Sequence, residues 1–153
     1  MDLYVYRPAT TSRAVLALCD AESIEVNVRA RVDELLAWFD PQVMPHHARG
    51  SEEATRRTIE WGHEKAKHWL SVLDRHYLAR GGRWHVGDER TIADFFSASI
   101  VSLGELVAFD LGTYPNVRRW YDAVTTHPSW RRINVPFAGV VSAMRGAAHQ
   151  ATA

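Results

Sequence analysis

Three adjacent hydroxyls, Thr10, Thr11 and Ser12, stand just ahead of the apolar run Ala14-Val15-Leu16-Ala17-Leu18. A side-chain oxygen placed there can accept from an unpaired backbone N–H and so cap a helix. Cys19 lies farther along the same run, among apolar residues and away from a helix N-terminus, which suits an inert core thiol better than a nucleophile. His46-His47, His63 and His68 bring imidazoles without a cysteine or acid at ligand spacing, and adjacent histidines point apart on a helix, so no metal site is expected. Thr91-Ile92-Ala93-Asp94 is the sharpest local pattern. A threonine cap with an acid three residues on satisfies two backbone N–H groups reciprocally, which makes Thr91 and Asp94 a structural capping box. On that basis Asp94→Ala is expected to lower stability by about 1 kcal/mol.

The elements that must carry these groups fit a chain of 153 residues, enough for one compact domain with a hydrophobic core. A composition of 46% hydrophobic and 24% charged residues is that of a globular protein. Eighteen basic residues balance eighteen acidic ones, which argues against a dedicated nucleic-acid or anionic-membrane binder. The pairs Arg56-Arg57, Arg118-Arg119 and Arg131-Arg132 read as a solvated face. The single cysteine cannot form an internal disulfide, as suits a reducing compartment. Met1-Asp2-Leu3-Tyr4 does not open a secretory signal, and no run approaches the roughly 20 apolar residues of a membrane span. A soluble, cytoplasmic protein is therefore expected. Six tryptophans imply large aromatic anchors between helices or an aromatic-lined cleft.

Leu3-Tyr4-Val5-Tyr6 predicts a strand, residues 14–18 a helix of about three turns, and the alternating Ser23–Val28 stretch a second strand. Two strands and a helix cannot stand alone and must lean on the rest. From Arg29 the period turns helical, with Val32, Leu35, Leu36, Phe39 and Val43 in one stripe, a kink at Pro41 and an end near Met44-Pro45-His46-His47. Ser51-Glu52-Glu53 opens a helix of about 28 residues, with Gly62 as a bend or close approach, Trp69, Leu70, Leu73 and Tyr77 inward, and a stop at Gly81-Gly82. After the capping box, Phe96, Ile100, Leu103 and Val107 trace the expected buried stripe. Val117, Trp120, Tyr121 and Val124 give another amphipathic helix. Pro128 and Pro136 start short helices near 128–133 and 136–145, and the tail after Gly146 reads as frayed.

Trp84-His85-Val86-Gly87-Asp88-Glu89-Arg90-Thr91-Ile92-Ala93-Asp94-Phe95 resembles the loop and capping box that open the central core helix in glutathione transferases of the bacterial theta-like kind. Tyr114-Pro115-Asn116-Val117-Arg118-Arg119-Trp120, then His127-Pro128-Ser129-Trp130, is similar to the next two helices of that family. Arg29–Trp38 resembles the helix that begins its C-terminal domain. Leu3-Tyr4 and Ser12-Arg13-Ala14-Val15 resemble its first strand and helix. The resemblance implies a mainly α fold: a truncated thioredoxin-like β-α-β segment over residues 1–28, then an all-helical C-terminal-like domain over residues 29–153. Between the second strand and the helical domain, the family carries a cis-proline that hydrogen-bonds glutathione and an acid-serine pair that holds its γ-glutamyl end. Here Val26-Asn27-Val28 runs almost directly into Arg29.

The implied activity is conjugation of glutathione, as co-substrate and without a cofactor, to an apolar electrophile in detoxification. In the family a serine ahead of the first helix stabilises the thiolate, and that place falls on Ala9. Thr10 is then the first substitute, followed by Ser12 and Thr11, although helix capping explains the same residues. Trp38, Phe39, Val43 and Met44 lie where the family lines its electrophile pocket, and plain core packing explains them too. The alternative is a non-catalytic helical binding module of the same family that has lost the glutathione site. A sheet cut to two strands leaves an edge that a second copy of the chain could cover.

Overall fold

The computed structural model describes residues 2–5, 10–30, 52–79 and 82–151. Strand β1 (Asp2–Val5), helix α1 (Thr10–Ala21) and strand β2 (Asn27–Ala30) come first. Next come α2 (Glu52–Val72) with a π turn over Leu73–Tyr77, and α3 (Ile92–Val101) with a 3-10 turn over Ser102–Val107. Helices α4 (Pro115–Thr125), α5 (Pro128–Ile133) and α6 (Val135–Ala151) complete the described chain. The expected helix from Arg29 to the Pro45 region, the Pro41 kink and the Ser51 cap lie outside the described residues, apart from Arg29 and Ala30.

The two strands pair in parallel, with Asp2 opposite Asn27 and Val5 opposite Ala30. The second strand begins four residues later than its alternation suggests and runs on through Arg29 and Ala30, so these two residues, expected to open the next helix, instead pair with Tyr4 and Val5 in the sheet. The cause is local. Ser23 takes a left-handed backbone (φ 54°), and the Ile24 N–H reaches back to the Cys19 carbonyl at 2.8 Å. This is the helix-ending turn that glycine usually serves, and it occupies the first half of the expected strand. As expected, the β-α-β piece leans on the rest: α1 packs on α3 and α5. Cys19 is buried and unbridged.

Helix α4 matches its pattern. Val117, Trp120, Tyr121 and Val124 are all buried, with Pro115 in the first turn. Helix α5 covers Pro128–Ile133 as its proline predicts, whereas α6 begins at Val135 and extends to Ala151, past the expected fraying point. The core joins Ala14 and Ala17 of α1, Phe95 and Ala98 of α3, Trp120 and Val124 of α4, and Trp130 of α5.

Three further expectations need correction. Phe96, Ile100, Leu103 and Val107 are not the inner stripe of α3; they are 43–63% exposed. The inner face is Asp94, Phe95, Ala98 and Ser99, continued by Ser102. Helix α3 is apolar on nearly every side, so periodicity cannot choose its buried face. The choice falls to small and polar residues whose hydrogen bonds are made inside. On α2, Leu70 and Leu73 do pack against the core, but Trp69 and Tyr77 are exposed. Regular helix ends at Val72, and the wider π turn, closed by Leu78 N–H on the Leu73 carbonyl at 3.0 Å, brings Asp74 and Leu78 inward instead. Gly62 admits no close neighbour: a Cβ there would meet nothing within 4 Å.

Buried Asp74 explains part of the packing between α2 and α4. Its Oδ1 accepts from the backbone N–H groups of Asn116 (2.8 Å) and Val117 (3.0 Å), at the start of α4. A carboxylate at a helix N-terminus satisfies free donors and complements the dipole.

Candidate functional site

The capping box stands as expected and does more than cap. Thr91 Oγ1 accepts from the Ala93 N–H at 3.2 Å, and Asp94 Oδ2 accepts from the Thr91 N–H at 2.8 Å. The other oxygen of the fully buried Asp94 accepts from the His85 N–H at 3.0 Å and the Trp120 indole at 2.9 Å. One carboxylate thus ties the 82–91 loop, α3 and α4 together. The His85 ring lies 4.6 Å from that of Trp120. Burial pushes the His85 imidazole below its ordinary pKa, opposed by the Asp94 charge.

Helix α1 includes the hydroxyl cluster instead of following it. Thr10 is its first residue, so Thr10, Thr11 and Ser12 form its first turn. Thr10 and Ser12 are half-buried and Thr11 is exposed. The roles expected of them rest on the resemblance. What fixes that turn is the next residue. Arg13 is wholly buried. Its guanidinium donates to Asn134 Oδ1 (2.7 Å), Ser102 Oγ (3.0 Å) and the Ser99 carbonyl (3.0 Å), and sits 3.8 Å over the Phe137 ring. One side chain of α1 thereby grips α3, the 3-10 turn and α6. Burial pushes the Arg13 pKa down, opposed by Tyr121 and Glu105. The guanidinium stays charged, because its ordinary value is far above neutrality.

Beyond Ser102 lies a second pair, a buried tyrosine and a half-buried glutamate. Tyr121 donates its hydroxyl to Glu105 Oε1 at 2.5 Å. Burial first, and then the bond to Glu105, push the Tyr121 hydroxyl far up, so it remains a donor across the physiological range. Glu105 and Tyr121 both line a cleft of about 560 Å³ between α2 and the outer face of α3, with Trp69, Leu73, Ile100 and Phe109 among its apolar walls. Ile100, Leu103 and Val107 of the exposed apolar stripe thus face a cleft. Glu105 also borders a smaller cavity of about 310 Å³, shared with Ser102, Asn134 and Phe137.

Spacing did not single out Arg13, Glu105 or Tyr121 as a group. Arg13 carried a readable signal: it is the lone cation of α1 and falls at helical spacing on the same face as Ala14, Leu16 and Ala17. The expected pocket residues Trp38, Phe39, Val43 and Met44, and the pair His46-His47, lie outside the described residues. Among the described residues, no cluster of three metal-ligating side chains occurs, and no helix is long and apolar enough to cross a membrane.

Comparison with known proteins places this geometry. A family model described as the glutathione S-transferase C-terminal domain matches residues 38–131, more than half of the chain. Among solved structures, a glutathione S-transferase from Rhodospirillum rubrum F11 is similar at 16% identity and TM-score 0.63, over 88% of this chain and 91% of that one. A protein described as a possible glutathione S-transferase from Rhodopseudomonas palustris is similar at 18% identity and TM-score 0.54, over 84% and 94% of the two chains. At such identities the structural likeness shows the fold alone.

Proposed function

Because the chain belongs to the glutathione S-transferase C-terminal domain family, we propose that it binds glutathione at the first turn of α1 and conjugates it to an apolar electrophile. The observation that carries this reading is the anchoring of α1 by Arg13. A rigid helix N-terminus with hydroxyls in its first turn is suited to an anionic sulfur: the dipole favours the thiolate, and a hydroxyl donates to it. Thr10 is the first choice for that donor, then Ser12 and Thr11. The thiolate attacks the electrophile, a carbon–sulfur bond forms, and a leaving group such as halide departs with the bonding pair. Trp38, Phe39, Val43 and Met44 would contribute apolar lining for the electrophile. This chemistry needs no cofactor and would serve detoxification in the cytoplasm.

Retention on immobilised glutathione, followed by turnover of a generic aryl halide, tests the reading. Retention with turnover that falls in Thr10→Val supports it. Failure of both removes the activity and leaves the family membership intact.

A second reading is a non-catalytic binding module of the same family, favoured by two observations. The described sheet has two strands only, with Val28 exposed on it. The apolar cleft between α2 and α3 is open. Light scattering that shows a dimer would fit this reading, with the strand edge as the natural contact.

A further inference from the structure

We propose that the cleft between α2 and α3 is a binding site for a neutral aromatic molecule carrying one hydroxyl, held flat between apolar walls with its hydroxyl donated to the Glu105 carboxylate. The proposal does not rest on the transferase reading. The cleft lies on the outer face of α3, whereas α1 packs on the inner one, and the binding needs no glutathione.

Size comes first. About 560 Å³ falls within the range of small-molecule sites, roughly 300–1,000 Å³. The walls offer apolar and aromatic contact: Trp69 and Leu73 from the α2 side, Ile100, Leu103 and Phe109 from the α3 side. Exposed apolar side chains that line one concavity, not scattered singly, mark a binding surface.

The polar content decides the ligand's class. Glu105 is the single acidic residue in the described lining. Its Oε1 accepts from the hydroxyl of the buried Tyr121, so the carboxylate is held in place. Arg145 also donates to the Glu105 backbone carbonyl at 3.1 Å, fixing the turn that carries it. A positioned acceptor in an apolar wall selects a ligand with a donor and penalises one without it, since burial would cost the carboxylate its water. It also disfavours an anion. Lys65 and His63 contribute to the same cleft from α2, but both are exposed, where solvent screens their charge.

The test is equilibrium dialysis of the full chain, without glutathione, against 1-naphthol, 1-methoxynaphthalene and 1-naphthalenesulfonate. The proposal expects saturable 1-naphthol binding, about tenfold tighter than 1-methoxynaphthalene, the size of one hydrogen bond to a charged acceptor. Ile100→Arg, a change at an exposed wall position, should abolish binding with an unchanged melting midpoint. Glu105→Gln keeps an acceptor for Tyr121 and should erase the preference for the hydroxyl while 1-methoxynaphthalene still binds. No saturable binding overturns the proposal; that is also the result if a protein segment or a second copy fills the cleft. A stronger affinity for the sulfonate overturns it too, as does a hydroxyl preference that survives Glu105→Gln.

Discussion

Asp94→Ala is the most informative single substitution. From sequence, its cost is the loss of a capping box, about 1 kcal/mol. The structure raises that figure. Removing the carboxylate strands the Thr91 N–H at the helix start, and also the His85 N–H and the Trp120 indole. The indole belongs to a side chain only 1% exposed, so water cannot replace the lost acceptor. Each stranded buried donor costs about 1–3 kcal/mol. With the cap, the sum is about 3–5 kcal/mol, which for a chain of this size lowers the melting midpoint by roughly 10 °C. Calorimetry or urea unfolding reads this directly. In a Trp120→Phe background no indole is left stranded, and the cost of Asp94→Ala should shrink by about 1–2 kcal/mol. A loss near 1 kcal/mol, equal in both backgrounds, would refute the reasoning and reduce Asp94 to a cap.

Three further outcomes follow from the same geometry. Arg13→Ala should cost about 3 kcal/mol or more, from the cavity and from the buried Asn134 Oδ1 losing its donor, while Ser102 and Ser99 still bond each other, and should speed amide exchange first in α1; uniform exchange along the chain would deny it the anchoring role. Stability should fall in mild acid: burial holds the imidazoles of His85 and His127 below their ordinary value of 6.5. Arg90 and Arg132 add to this at His127 against Asp20 and Glu22, and His127 Nδ1 must stay unprotonated to accept from the Ser129 N–H at 3.3 Å. The unfolded chain therefore binds more protons, and the stabilisation, complete above about pH 7, is lost as pH falls from 6.5 through the lowered folded values. Urea midpoints against pH check this, and His127→Asn, which keeps a cap, should flatten the slope. Ser23→Gly should stabilise by roughly 0.5–1 kcal/mol by relieving a left-handed backbone; a lower urea midpoint would contradict the turn assignment.

Much of this fold is legible in the sequence because several signals are local. Thr91 with Asp94, Pro128 and the Val117–Val124 stripe each specify structure through neighbours within a few residues, and each is where it was expected. The inner face of α3 was not legible, since Phe96 and Ile100 are as apolar as Phe95 and Ala98. The decision comes from Arg13, which lies 86 positions from its Ser99 partner, and no period encodes such a pairing. The same holds for Tyr121 and Glu105, unremarkable alone and a positioned pair once α4 folds against the 3-10 turn. The outward turn of Tyr77 depends on a π turn that shifts the helical phase after Leu73.

The proposal that α1 holds the sulfur of glutathione is tested most directly by titrating that thiol in the presence of excess chain, following thiolate absorbance. The account predicts a bound thiol that ionises at lower pH than the free peptide, with the shift reduced in Thr10→Val. A titration indistinguishable from free glutathione at every protein concentration would contradict it.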